Sequence, residues 1–232
     1  MALKRKRLVI RTKRLNIYPL TDSEIRQLID NCADEDLAGA YYQMLDGCTN
    51  DPHNRQWYAP WTMETREGNI RIGDLGFKGP AVSGSVEIGY GINKEFEGQG
   101  YTTEAAQAMV DWALEEENVL FVEAEADENN AASIHILEKL GFTMYGYGEE
   151  GPRFVKPKSE TVFTSIGMCL GICLGLSVGM TIFDNMTTGL CIGLGVGLCL
   201  GAAKDKRNRE RMDEIIKTRY GIDPEIKVDP AK

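Results

Sequence analysis

The stretch that decides the fold covers residues 93–112 and reads NKEFEGQGYTTEAAQAMVDW. The segment before it, residues 85–92, mixes β-branched and aromatic residues with glycine, which is typical of a strand. After the two glycines, small and apolar residues recur at helical spacing, at Ala105, Ala108, Met109, Trp112 and Ala113. The stretch therefore predicts a strand, a glycine-rich turn and a helix.

Gly98 and Gly100 allow the backbone of this turn to approach a ligand without a clash from Cβ. The first amides of the following helix have no intrahelical partner, so they favour an anion such as a phosphate. An ordinary tight turn explains the same pattern, because a GxG sequence before a helix is by itself a weak signal.

A second motif follows about thirty residues later. Residues 130–142 read NAASIHILEKLGF and predict a short helix that is closed by Gly141 as its C-cap. The two motifs, in this order, resemble the GCN5-related N-acetyltransferase (GNAT) family, in particular the branch similar to ribosomal-protein alanine acetyltransferases. The resemblance covers roughly residues 8–156.

The resemblance implies an α+β fold, in which helices flank a mixed and mostly antiparallel sheet. It also implies acetyl-CoA as co-substrate, without a metal, and a turn that cradles the coenzyme A pyrophosphate. The cofactor-binding residues that it implies are Ile92, Glu97, Gly98, Gln99, Gly100, Tyr101, Thr102, Thr103, Asn130 and Ser133.

Two positions of the turn depart from the family pattern. Glu97 stands where the family often has Arg or Gln, and Thr102 stands where it often has Gly or Ala. Since a carboxylate near a pyrophosphate is repulsive, we expect the Glu97 side chain to point away from the ligand.

The implied reaction is acetyl transfer to a primary amine by direct attack in a ternary complex. The amine must lose a proton, and Glu87 is our candidate for the general base because a carboxylate in a central strand without an obvious ion pair needs a reason. Alternatively, Glu87 faces solvent from a half-exposed strand. Glu123 and Glu125, on one face of a later strand, are second candidates.

The sequence does not assign a general acid. Many members of the family place a tyrosine in the helix before the Gly-Phe pair, and here that position holds Leu137. Tyr145 and Tyr147 are weak substitutes, and we expect His135 to have a structural role.

The charge distribution bears on the partners. Residues 15–160 carry 10 basic against 27 acidic residues. This excess disfavours binding to nucleic acid and suits a cationic amine substrate, although solubility alone also explains it.

The remaining elements of the first domain follow from periodicity and turn signals. Thr21 and Glu24 predict a capping box for a helix over residues 22–31, and Gly68 with Asn69 predicts a turn. We expect a further helix over 34–47, a loop over 49–54, and strands over 8–20, 56–65, 69–77, 120–126, 143–147 and 153–156.

Residues 161–203 contain a single charge, Asp184, which divides them into apolar stretches of 23 and about 18 residues. Glycine recurs at every fourth position in both stretches, at Gly167, Gly171, Gly175 and Gly179 and at Gly189, Gly193, Gly197 and Gly201. This spacing places the glycines of each helix on one face, where they allow two helices to approach closely in lipid. The pattern predicts a transmembrane two-helix hairpin, or alternatively a soluble glycine zipper that forms homo-oligomers.

The predicted organisation has three parts: an acetyltransferase domain over 1–158, the hairpin over 159–203 and a charged tail over 204–232, which begins as a polar helix. Basic residues flank the hairpin on both sides, so we expect a multi-pass protein of the cell membrane with its domain in the cytoplasm. A cytoplasmic location remains the alternative, and so does a non-catalytic acyl-CoA-binding or oligomerising module. The six cysteines are expected to be thiols in a reducing compartment.

Overall fold

The computed structural model describes residues 8–158, 162–181 and 185–221 of the chain. It divides into two compact units, Met1–Lys156 and Pro157–Lys232, and each is described by itself.

The described part of the first unit contains one sheet of eight strands in the order β1-β2-β3-β4-β5-β6-β8-β7. β5 and β6 are parallel, whereas the other pairs with a described register are antiparallel. This arrangement confirms the α+β class with a mixed, mostly antiparallel sheet. The strands are β1 (Ile10–Arg11), β2 (Leu15–Pro19), β3 (Trp61–Thr65), β4 (Arg71–Phe77), β5 (Ser85–Ile92), β6 (Phe121–Glu125), β7 (Thr143–Tyr147) and β8 (Pro152–Pro157).

The helices of this unit are α1 (Asp22–Asn31), α2 (Glu35–Asn50), α3 (Arg55–Tyr58), α4 (Tyr101–Glu115) and α5 (Ala131–Lys139). The predicted capping box of α1 is present, since Thr21 accepts from the Glu24 amide and Glu24 accepts from the Thr21 amide. The turn at Gly68 and Asn69 is also confirmed, and both residues have positive φ.

Helices cover both faces of the sheet. Met109, Val110 and Ala113 of α4 pack into a large core with side chains from the strands. Trp112 adds ring contacts with Trp57 and Trp61, at centroid distances of 4.9 and 5.2 Å. On the opposite face, α1 and α2 form a smaller cluster of buried residues, which contains Leu20, Ile25, Ile29, Tyr41, Cys48 and Ala59.

Two predicted strands are wrong in part. The strand expected over 8–20 is a hairpin, because Thr12 bonds back to Leu15 and turns the chain between β1 and β2. The strand expected over 56–65 begins only at Trp61, and the residues before it form α3. Burial of Trp57 in the main core and the missing amide of Pro60 favour a helical turn over a ladder at this point.

The described part of the second unit consists of two long helices, α6 (Val162–Thr181) and α7 (Met186–Ile215), and a π-helical end over Ile216–Tyr220. The predicted glycine stripes face each other. At all eight glycines, a Cβ atom would lie less than 3.0 Å from backbone atoms of the same hairpin. The helices are long and apolar enough to cross a membrane, by length and composition alone.

The boundary expected at residue 204 falls inside α7, which continues through the polar residues to Ile215. Asp205 lies in this continuation and caps the first turn of α6. Its carboxylate accepts hydrogen bonds from the Phe163 amide at 3.3 Å, from the Thr164 amide at 2.8 Å, and from the Thr164 hydroxyl. The predicted turn residue Asp184 lies outside the described residues.

Candidate active site

The glycine turn forms the predicted connection between β5 and α4. Gly98 and Gly100 have φ values of +69° and +76°, which a residue with a side chain rarely adopts. α4 begins at Tyr101, and the amides of Tyr101, Thr102 and Thr103 in its first turn have no intrahelical acceptor. No side chain caps this end of the helix. The turn therefore presents free amides and the positive end of the α4 dipole, as an anion site requires.

Arg14 supports this turn from the β1–β2 hairpin, a role that the sequence did not indicate. Its Nη1 donates to the Gln99 carbonyl at 2.9 Å, and its guanidinium lies 4.1 Å above the Tyr101 ring. The Arg14 Nε atom bonds to Glu104 at 2.7 Å. The arrangement fixes the last peptide groups before α4.

Glu104, in the first turn of α4, completes this support. It accepts hydrogen bonds from the Thr12 hydroxyl at 2.6 Å and from the Arg14 amide at 2.8 Å. Burial alone would raise the pKa of Glu104, but these hydrogen bonds and the charge of Arg14 outweigh it, and the pKa is lowered.

The other predicted turn residues are more open. Glu97 is exposed, and Gln99 turns its amide nitrogen toward the carbonyl of Glu95 at 3.0 Å. Thr102 and Thr103 are half-buried in the first turn of α4. The Gln99 side chain therefore stabilises the turn itself.

β5 and β6 separate partway along their length. Their pairing joins Ser85 to Phe121 and ends at Glu87 with Glu123, although β5 continues to Ile92. Lys78 donates its amide to the Glu87 carbonyl, and Asn93 donates to Ile72, so the backbone groups of residues 87 and 93 face β4. Those of Ile88, Tyr90 and Ile92 consequently face the opening, because alternate residues point to opposite sides.

The opening is bounded on its far side by α5. Asn130 caps this helix by accepting from the Ser133 amide at 3.0 Å, and the Ser133 hydroxyl bonds to the Tyr90 hydroxyl at 3.0 Å. The structure thus brings the predicted residues Asn130 and Ser133 to the gap that follows Glu87. Burial raises the pKa of Tyr90 despite its bond to Ser133, so Tyr90 is a neutral phenol near pH 7.

Glu87 lies where the two strands part, but it does have an ion pair. Its carboxylate is 2.5 Å from Lys78 Nζ, so the expectation that it lacks a partner is wrong. Lys78 directly follows the end of β4, and no short spacing in the sequence connects it to Glu87. The Glu87 side chain is about one-third exposed, at 32%.

The second-rank acids differ in their surroundings. The Glu125 side chain is 7% exposed, and it accepts hydrogen bonds from the amides of Glu150 and Gly151 and from Arg153, which fixes the β7–β8 hairpin. Glu123 lies beside Glu87 in the sheet and accepts a hydrogen bond from Tyr145 at 2.9 Å. Glu125 thus has a structural role, while Glu123 and Tyr145 lie next to the site.

The residues named in connection with a general acid differ in their exposure. Leu137 is 1% exposed and belongs to the main core, whereas Tyr147 and His135 are exposed. Only Tyr145 of these residues is linked by the described hydrogen bonds to an acid beside Glu87.

Comparison with known proteins places this geometry in a family. A model of the acetyltransferase (GNAT) domain matches residues 10–143. The chain is 38% identical over 85 residues to the uncharacterized N-acetyltransferase YjdG of Bacillus subtilis, an alignment that covers 36% of this chain and 51% of YjdG. It is 30% identical over 137 residues to the uncharacterized N-acetyltransferase p20 of Bacillus licheniformis, which covers 58% of this chain and 67% of p20. The chain thus spans about half the length of YjdG.

Solved structures support the same fold. RimL, a ribosomal L7/L12 alpha-N-protein acetyltransferase in complex with coenzyme A, aligns with a TM-score of 0.52 and 15% identity over 65% of this chain and 98% of RimL. An acetyltransferase from Agrobacterium tumefaciens aligns with a TM-score of 0.51 and 21% identity over 67% of this chain and 98% of its own. Because the family model covers more than half of the sequence, this chain belongs to the GNAT family of acetyltransferases.

Proposed function

We propose that this chain transfers the acetyl group of acetyl-CoA to a primary amine, by direct attack of the amine in a ternary complex. The observation that carries the proposal is the parting of β5 and β6 directly after Glu87, with the free amides of the α4 turn at the far end of β5. These two features together suit an extended thioester whose pyrophosphate binds at Gly98–Thr103.

The proposed chemistry uses few groups. The amine nitrogen attacks the thioester carbonyl, the carbon–sulfur bond breaks, and coenzyme A leaves as its thiolate. Glu87 accepts the amine proton, directly or through water. Backbone amides that face the opening, those of Ile88, Tyr90 and Ile92, stabilise the negative charge that develops on the carbonyl oxygen.

Calorimetry and a thiol-release assay on the full-length chain test the proposal. We expect acetyl-CoA to bind, and an amine panel to contain acceptors that release coenzyme A thiol. If a folded sample gives no binding heat at high micromolar coenzyme, the acetyltransferase proposal fails. Binding without transfer to any amine of the panel would favour the non-catalytic acyl-CoA module.

We further propose that α6 and α7 anchor this enzyme in a membrane as a helical hairpin. Outward side chains are large, apolar and exposed within the unit, for example Leu170 at 58%, Leu174 at 65% and Leu200 at 68%. The glycine faces are already occupied by each other, so close packing does not require a second copy. Lipid is the environment that suits the remaining apolar surface.

Alkaline carbonate extraction of native membranes tests the anchor. A spanning hairpin stays in the pellet, and an Asn185→Cys variant then reacts with an impermeant thiol reagent added from outside the cell. Release by carbonate, or labelling only after lysis, would instead support the soluble zipper and a cytoplasmic location. In that case Gly171→Leu and Gly193→Leu should dissociate an oligomer.

A further inference from the structure

One face of the sheet carries a row of polar side chains that the proposed chemistry does not use. Tyr18 of β2 is in register with Thr62 of β3, Thr62 with Asp74 of β4, and Asp74 with Gly91 of β5. Cross-strand partners point to the same face of a sheet, so these residues form one continuous row. Glu64, two residues after Thr62 on the same strand, extends the row. We call the side chains of Tyr18, Thr62, Glu64 and Asp74 the acceptor row.

Thr62 lacks a partner although it is buried. The residue is 2% exposed, and its hydroxyl has no hydrogen-bond partner among the described residues. Buried hydroxyl groups in native proteins are nearly always bonded, because an unsatisfied one is costly. The unpaired Thr62 hydroxyl therefore indicates a ligand atom in the acceptor row.

The two acids of the acceptor row are each held by a tyrosine. Tyr41 of α2 donates to Asp74 Oδ2 at 2.5 Å, and Arg71 contacts the same oxygen at 3.1 Å. Tyr18 donates to Glu64 Oε2 at 2.7 Å. The other oxygen of each carboxylate has no partner in the described part of the chain, so both acids retain acceptor capacity.

Open space connects the acceptor row with Glu87. Gly89 and Gly91 follow Glu87 at two-residue steps and so lie on the same face of β5. A Cβ atom at either glycine would meet no atom within 4 Å. A narrow aliphatic chain therefore has room to lie along β5, from the carboxylate of Glu87 to that of Asp74.

We propose that the acceptor row binds a second ammonium group of the amine substrate. The substrate class is then an aliphatic amine with two cationic ends. Asp74 and Glu64 supply charge, and the Thr62 hydroxyl accepts a hydrogen bond from the ammonium. The other amine of the acceptor then lies over Gly89, where it reaches the opening beside Glu87. This inference rests on the proposed acetyl transfer, and it adds the class of acceptor.

The test compares cadaverine with pentylamine, which has the same chain length and lacks the second amine. Each amine is titrated calorimetrically into the full-length protein saturated with coenzyme A. We expect cadaverine to bind about ten-fold more tightly or better, as is typical for a charge-assisted contact. Asp74→Asn and Thr62→Val should each remove most of this preference, while Asp111→Asn, an exposed acid on α4, should leave it unchanged.

Thr62→Val also separates ligand binding from a structural role. If the hydroxyl serves no ligand, its removal stabilises the protein in thermal unfolding and leaves the cadaverine preference intact, and that result overturns the inference. Equal binding of the two amines by the unmodified protein overturns it as well. Acetyl transfer to either amine is measured separately, so failure of the proposed reaction is distinguished from failure of the acceptor row.

Discussion

Arg14 donates a hydrogen bond to the carbonyl oxygen of Gln99 at 2.9 Å, across 85 residues of sequence. The contact ties the β1–β2 hairpin to the turn where the coenzyme is proposed to bind. The same guanidinium engages Glu104 and covers Tyr101, and its planar fork suits these simultaneous contacts. The conformation of the turn therefore depends on a residue near the start of the domain sequence.

Replacement of Arg14 should weaken coenzyme binding. Arg14→Ala leaves the Gln99 carbonyl and the Glu104 carboxylate without their donors, and we expect a loss of about 1–2 kcal/mol in acetyl-CoA affinity. Calorimetry measures it. Arg26→Ala, at an exposed position of α1, is the matched control, and equal affinities for the two variants would contradict the supporting role.

Replacement of Gly100 by alanine should destabilise the domain, whereas the same replacement at Gly39 should not. Gly100 has a φ of +76°, so Gly100→Ala should destabilise the domain by about 1–2 kcal/mol and weaken acetyl-CoA binding. Gly39 lies within α2 with open space around it, so Gly39→Ala should stabilise the domain by about 0.5–1 kcal/mol. Chemical denaturation compares the two, and a neutral Gly100→Ala would argue against the strained turn.

Ionised Glu104 should make the free energy of unfolding depend on pH in the acidic range. Its pKa is lowered from the ordinary value of 4.5, so its contribution is complete above that value and is lost as pH falls through the folded-state pKa. Glu104→Gln should therefore cost stability near pH 7, and the difference from the unmodified chain should shrink below about pH 4. Denaturant titrations over this range test it; a difference independent of pH would rule out this ionic contribution.

Glu87→Gln should slow acetyl transfer by about 100-fold or more while acetyl-CoA affinity changes little, because a general base acts on the amine. Steady-state kinetics from pH 6 to 9 separates turnover from binding. Glu67→Gln, an exposed acid before β4, is the control. Full activity of the Glu87 variant would mean that Glu87 serves only in its ion pair with Lys78. Glu123 would then be the next candidate for the general base.

Local signals were sufficient to predict the elements around the coenzyme turn. β5 has the predicted bounds, α4 follows the two glycines as predicted, and the capping box of α1 is in place, because each depends on neighbouring residues. The strand expected over 56–65 failed because burial of Trp57 against Phe77 and Trp112 overrides the alternating pattern.

Local sequence signals do not identify the residues that support the site. No local signal marks Arg14, and its contacts with Gln99 and Glu104 arise only when β2 and α4 pack together. Likewise, Lys78 meets Glu87 through the pairing of β4 with β5. Pairs far apart in sequence require the register of the sheet before they can be recognised.

The cap that Asp205 places on α6 has a consequence for how the hairpin tolerates change in length. The cap fixes one end of α6 against α7, while the glycines fix every later turn. Insertion of one residue within α6 rotates all that follows by about 100°, which turns leucine and methionine side chains into a backbone contact that admits no Cβ. We therefore expect natural variation in this segment to exchange outward side chains freely and to leave the number of residues between Thr164 and Gly179 unchanged.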